Sequence, residues 1–445
     1  MRRYHAAWVL PITSPPVRHG TVAVSGGRIA YVGPRAGAPP GEDVELGAAV
    51  LLPGLVNAHT HLELTAMRGF LEDLDFRSWI LRLTVARRDV LTRDMLLDSA
   101  RFGLAEGLAA GITTFADTCE SGAAFDAMIE RGVRGIVYQE VFGPAPVACD
   151  ESLDELKRRV AALRQRESGL VRVGVSPHAP YTVSDRLFAA TARYAIQAEL
   201  PMAIHIAESE AEQLLVAYAH GEFADALVKR GIRVEPRAHS PIQLLRGLRV
   251  LDAQPLLIHC VRADALDVHA IAASGCAVAH CPASNAKLGH GVAPVAEFLN
   301  AGIPVGLGSD SVASNNRMDI LTEAWLATLE QRARTRRHDA VTAARALRLA
   351  TIDGARALGL DNEIGSLEAG KAADLAAFPL HPSIGPVHDI ESTVVFALRG
   401  TPATLVTVAG RVLVYDGALM DADPGLAGRV QLTADQLQRW LAERR

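Results

Sequence analysis

Apolar and polar positions follow two different rhythms along the chain. Near the N-terminus the run TVAVSGGRIAYVG, around residues 22–33, alternates and then turns through Gly-Gly. It reads as a strand, a tight turn and a second strand. Close to the other end, residues 373–378 (ADLAAF), 392–398 and 403–415 (ATLVTVAGRVLVY) are short, β-branched and separated by turn residues. These segments predict one small β-sandwich domain built from both termini, residues 1–53 with 368–425. The middle of the chain, 54–367, is then an insertion that carries its own core, and 426–445 is a C-terminal helix.

The middle alternates strand and helix patterns. Strands are predicted at 49–56, 112–117, 135–141, 171–176, 201–206, 255–259, 277–281 and 303–308. Helical periodicity fills 93–107, 151–166, 184–199, 266–273 and 317–332. Eight strands with helical crossovers predict an α/β fold, a closed parallel (β/α)8 TIM barrel. An open doubly wound sheet is the alternative, but no G-x-G-x-x-G turn follows an early strand. The long interval 210–254 predicts extra helices over the barrel mouth.

Composition changes this picture little. A chain of 445 residues suits a large barrel plus a modest second domain. The formal charge of −5 is spread along the chain. The densest basic run, Arg332 to Arg337, reads as a solvated face, and no basic stripe points to nucleic acid. The N-terminal run MRRYHAAWVLPITSPP is broken by proline and lacks the pattern of a signal peptide. No apolar stretch has the roughly 18 residues a membrane span needs. The 5 cysteines show no paired spacing, which fits a reducing cytoplasm.

The candidate chemistry lies at the predicted strand ends. His59 and His61 follow the first strand, His178 the fourth, His205 the fifth and His259 the sixth. His280 lies in the seventh, and Asp310 ends the eighth. Carboxyl ends of barrel strands converge on one mouth, so these residues become neighbours. Residues i and i+2 of a strand face the same side, so both imidazoles of His-x-His can reach one ion. His205 and Asp310 complete three nitrogens and one carboxylate, which suits one divalent zinc or iron ion with a position left for water. Glu208 lies three residues beyond His205. It reads as a general acid/base or as a helix N-terminal acid held by the macrodipole. Glu63 and Arg68 either meet the ribose or a distal carboxylate of a substrate, or pair within the first loop. Trp79 either walls the pocket or is a buried loop aromatic. His290 lies in a loop near the mouth.

The stretches PGLVNAHTHLE, SPHAPYTVS, HIAES, LLIHC, HCPASNAKLGHG and GLGSDSVASN resemble the amidohydrolase superfamily, specifically its one-metal deaminase and chlorohydrolase branch. The resemblance covers nearly the whole chain. It implies metal ligation by His59, His61, His205 and Asp310, a proton shuttle at Glu208 and a water-orienting group at His259. It places His178 against the substrate. The fourth strand offers His178 and no lysine, which fits a mononuclear site. A narrower resemblance is to 6-aminodeoxyfutalosine deaminases of menaquinone biosynthesis, through HTHLELTAMRG, SPIQLLRGLRVLDAQPLLIHCV and DSVASNNRMDILTEAW. The version CPASNAKLGHG is instead shared with deaminases of S-adenosylhomocysteine and methylthioadenosine. The resemblance thus implies a hydrolytic deaminase of an adenine-type nucleoside and, as its family often shows, a homodimer. A triazine-type chlorohydrolase and a non-catalytic barrel binding protein are the competing readings.

Overall fold

Gly54 is where the chain passes from one domain to the other. The computed structural model describes residues 1–444, and it divides the predicted strand 49–56 at this glycine. Ala49–Pro53 joins a sheet of the terminal segments, whereas Leu55–Thr60 is the first barrel strand. A Cβ at position 54 would lie 2.1 Å from Thr113 Oγ1, so only glycine fits between the two layers. Its amide donates to Asp374 O at 2.8 Å, which ties the crossover to the β domain.

The terminal segments form one nine-stranded sheet. Arg2–Val9 pairs antiparallel with Val17–Ser25 and parallel with Glu42–Glu45 and Ala49–Pro53. Leu375–Pro379 adds to Ala49–Pro53, followed by Leu405–Val408 and Arg411–Tyr415. The sheet buries its own cluster, which includes Tyr4, Val22, Ile29, Leu51, Leu375 and Leu405. Residues 392–398 were expected as a strand, but Ile390–Ala397 is a helix. Asp389 caps it by accepting from the Ser392 amide, and its face packs on the helices Ala343–Leu349 and Ile320–Thr335. Capping and tertiary burial override the β-branched composition here.

The barrel strands are Leu55–Thr60, Ile112–Cys119, Arg134–Val141 and Val171–Pro177, then Ala203–Ile206, Leu256–His259, Ala277–His280 and Val305–Leu307. Each set of four forms a parallel arc. Bridges Val175–Met202 and Thr60–Asp310 join the arcs at both seams and complete the (β/α)8 ring. The strands are buried along nearly their whole length, as helices on one side and packed interior on the other require. The interval 210–254 contains the helices Glu210–Tyr218, Glu222–Lys229 and Pro241–Gly247. Leu426–Ala442 is the C-terminal helix, and Leu437 and Trp440 pack beneath a rim helix, Phe76–Val90. Among the described residues no helix is long and apolar enough to cross a membrane. All five cysteines are free and buried.

Candidate metal centre and active site

The mouth of the barrel is drawn together by backbone detail at the seam between the first and eighth strands. Asn57 Nδ2 donates to Ser309 Oγ at 2.8 Å, and the Ser309 amide returns a bond to Asn57 Oδ1 at 3.0 Å. The Asp310 amide donates to His59 O at 2.9 Å. Gly308 allows this approach, because a Cβ there would stand 2.9 Å from both His59 N and His59 Cβ. Asp310 and His259 have positive φ, 58° and 75°. Non-glycine residues avoid that region unless the surrounding structure holds them there, and such residues gather at functional sites.

His59, His61 and His205 bring one nitrogen each within 4.8 Å of one another. His61 Nδ1 donates to Thr118 O at 3.0 Å, and His205 Nδ1 donates to His178 O at 3.1 Å. With both Nδ1 atoms serving as donors, the two neutral rings must each present a lone pair at Nε2. Those Nε2 atoms face each other across 3.3 Å. Two lone pairs at that distance repel, and a cation between them turns the repulsion into ligation. Asp310 Oδ1 lies 3.2 Å from His59 Nε2 and 3.6 Å from His61 Nε2. Its other oxygen accepts from Ser284 Oγ and from Ser314 Oγ, the latter at 3.1 Å. Oδ1 is thus left to face the imidazoles. The donor set fits a divalent metal ion, with carbonyls and serines orienting the ligands from behind.

Protonation favours the same use. Burial pushes His61 down to about 3 and His205 well below the ordinary imidazole range. Burial opposes the charge on Asp310, but the adjacent His59 holds its carboxyl well below the usual value. Neutral imidazoles and an ionised carboxylate are the forms that bind metal.

Glu208 and His259 lie beside this cluster. Glu208 Oε1 is 3.5 Å from His259 Nε2, and His259 Nδ1 is fixed at 2.9 Å by Asn285 Oδ1. Burial raises the cost of charging Glu208, yet the imidazoles of His259 and His290 keep its carboxyl below the ordinary range. His178 lines the same cavity, with Nδ1 against Thr182 Oγ1 at 2.8 Å. Burial pushes its imidazole down to about 4. The cavity measures about 670 Å³, and Trp79 is part of its wall.

The two remaining expected residues part company. Glu63 lines the cavity, but its carboxylate is occupied by Ser121 Oγ, the amides of Ala123 and Ala124, and Arg87 at 3.3 Å. Arg68 does not reach the cavity. It pairs with Glu106, donates to Asn316 O at 3.0 Å, and borders a separate cleft of about 390 Å³. The first loop turns it outward, and its partners lie outside that loop, in the helix Arg93–Ala109 and after the eighth strand. Sequence reasoning passed over Arg87 and Glu140. Arg87 enters from the rim helix and also binds Glu120 at 2.8 Å. Glu140 ends the third barrel strand, and burial raises its carboxyl to about 8. Neither belongs to a recognisable spacing, and only the closed ring places them at the mouth.

Comparison with known proteins agrees with this geometry. The model of the Amidohydrolase family matches residues 50–413. A 5-methylthioadenosine/S-adenosylhomocysteine deaminase from Moorella thermoacetica is 34% identical over 424 residues, covering 93% of this chain and 94% of the relative. Among solved structures, a zinc-bound adenosine deaminase from Xanthomonas campestris is 30% identical with a TM-score of 0.88, covering 98% of both chains. A zinc-bound atrazine chlorohydrolase from Arthrobacter aurescens is 26% identical with a TM-score of 0.82, covering 98% of this chain and 100% of the other.

Proposed function

The chain belongs to the amidohydrolase family and is a metal-dependent hydrolase of C–N bonds, a deaminase by its relatives, and we propose that it releases the 6-amino group of an adenine-type nucleoside as ammonia. The observation that carries this reading is the seating of Glu208 Oε1 3.5 Å from His259 Nε2, beside three imidazoles and Asp310. A metal cluster alone serves many hydrolyses. A buried, ionisable carboxylate that does not join it serves one that needs a proton delivered to a ring nitrogen.

His59, His61, His205 and Asp310 would hold one divalent ion, zinc ahead of iron by the donor set. When bound, such an ion supplies an activated water near neutral pH. Asp310 Oδ1 accepts the proton that the attacking water gives up. His259 Nε2 hydrogen-bonds the nucleophile and keeps it aligned with C6. The Glu208 carboxylate, ionised in the resting site, takes the other of the water's two protons and delivers it to ring N1 as C6 becomes tetrahedral. The proton held by Asp310 passes to the amino nitrogen, the C–N bond breaks as the C6 oxygen becomes a carbonyl, and ammonia leaves. His178 bears on the substrate from the fourth strand. Glu63 acts indirectly, by holding the first loop.

Within this class we assign 6-aminodeoxyfutalosine, converted to futalosine and ammonia, as the substrate. That molecule carries an aromatic carboxylate beyond its ribose. Leu83, Leu91 and Leu96 give the outer cavity an apolar wall, and Arg87, Arg88 and Arg230 also line it. Such a wall suits an apolar arm ending in an anion. A second reading, deamination of S-adenosylhomocysteine or methylthioadenosine, is favoured by the Moorella relative and by the CPASNAKLGHG segment.

The test is ammonia release from 6-aminodeoxyfutalosine, S-adenosylhomocysteine, methylthioadenosine, adenosine and guanine, with atrazine as the chlorohydrolase control. We expect the first to exceed the others in kcat/KM by about tenfold or more, the scale of discrimination that distal contacts supply. The reverse order would move the assignment to the second reading. Chloride release without ammonia would end the deaminase reading.

A further inference from the structure

The Glu208 carboxylate has few means of orientation. Its backbone is well held, because the amides of Ala207 and Glu208 donate to Glu212 at 2.9 Å and 2.8 Å. The carboxylate itself receives no hydroxyl or backbone donor among the described residues. Two imidazoles are the groups that approach it. His259 Nε2 and His290 Nε2 each lie 3.5 Å from the same oxygen, Oε1.

The two imidazoles are placed differently. In the proposed reaction His259 must also face the attacking water. His290 has no such second task. It is 8% exposed, and its Nε2 is buried with no hydrogen-bond partner among the described residues. An unpaired buried nitrogen is costly unless something meets it, and the group opposite is Glu208. The ring cannot easily turn away. Phe76 of the rim helix packs against it edge-on, with centroids 4.4 Å apart at 85°. The His290 amide is pinned to Asn285 O at 2.9 Å. The side chain of that same Asn285 holds His259. One short loop after the seventh strand therefore sets both neighbours of the proton shuttle.

We infer that His290 is a positioning residue for Glu208: it fixes the carboxylate toward the reacting ring, and Phe76 fixes His290. This rests on the deaminase reading, which wild-type turnover of an adenine nucleoside tests separately. Without His290 the carboxylate would turn about its last torsion and point at the ring for only part of the time. That loss falls on the chemical step and spares binding.

The experiment measures kcat, KM and metal content for His290→Phe, His290→Gln, Glu208→Gln and the double variant His290→Phe with Glu208→Gln. Phenylalanine keeps the packing on Phe76 and removes the nitrogen; glutamine restores a donor. We expect His290→Phe to lower kcat about tenfold to hundredfold, the range of coupling between contacting groups. KM and metal content should stay near wild type, and His290→Gln should recover most of the loss. In the Glu208→Gln background the His290→Phe change should cost nothing further. Should His290→Phe fail to fold, His290→Gln against His290→Asn gives the same comparison, since asparagine is too short to reach. Wild-type kcat in His290→Phe would overturn the inference, as would a loss that multiplies undiminished with that of Glu208→Gln.

Discussion

Glu208→Gln separates proton delivery from metal binding. Glutamine keeps the volume of the side chain and leaves the backbone bonds to Glu212 in place. What it removes is a group that can carry a proton. A positioned acid/base group contributes about 10² to 10⁴ in rate, or about 2.7 to 5.4 kcal/mol of barrier. Two features of the site place the loss at the upper end. Glu208 is 5% exposed, so solvent is a poor substitute donor. The nearby imidazoles of His59, His61 and His205 are held neutral by burial, so none carries a spare proton at neutral pH. We expect kcat to fall about 10³- to 10⁴-fold, with metal content unchanged because Glu208 stands outside the His59–His61–His205 group. Stability should not increase, because His259 and His290 outweigh burial and favour the charge that is lost. Turnover is followed by the ultraviolet change from an adenine to a hypoxanthine chromophore, and metal by elemental analysis. Turnover within about fivefold of wild type would remove Glu208 from proton transfer, because that is less than the weakest such contribution. Loss of metal along with activity would make it a ligand instead.

Two further outcomes follow from particular atoms. Gly308→Ala would set a Cβ 2.9 Å from His59 N and from Cys281 Sγ. Such overpacking costs about 1–3 kcal/mol, and displacement of His59 should weaken metal retention about tenfold in competition with a chelator. Unchanged retention would mean that the seam yields without moving the ligand. Glu330 has a buried Oε2 with no partner, and burial raises its carboxyl to about 7 from an ordinary 4.5. The folded state therefore binds more protons between pH 4.5 and 7, and stability contributed by this group is lost as pH rises through that window. Glu330→Gln should remove that loss and raise the urea midpoint at pH 8 relative to wild type; an unchanged difference between pH 5 and pH 8 would refute it.

The strand ends were the most legible part of the chain. His59 and His61 announce themselves through the two-residue repeat of a strand, and the ring needs only the alternation of strands and helices to bring His205, His259 and Asp310 to them. Gly54 was read as part of one strand because the residues on both sides of Pro53-Gly54 are apolar. The break follows from the side chain of Thr113, a neighbour on another strand. Residues 392–398 looked β-branched, but Asp389 and the helices beneath them decide otherwise. Arg68 could not be separated from a substrate contact by sequence, because its partner Glu106 lies 38 residues away. Arg87, Glu140 and His290 share this property. Each is defined by what the closed barrel and its rim helix set opposite it. The HCPASNAKLGHG segment did contain both Asn285 and His290. Its signal was a polar pair five residues apart in one loop, and only the positions of His259 and Glu208 give that pair a meaning.

We propose that one ion, held by His59, His61, His205 and Asp310, makes this chain a nucleoside deaminase. Titrating zinc into chelator-treated protein while following ammonia release from its best nucleoside substrate tests that claim directly. Turnover should be absent without metal, rise linearly with added zinc and reach a plateau at about one equivalent per chain. Full activity in the metal-free protein, or a rise that continues to two equivalents, would contradict it.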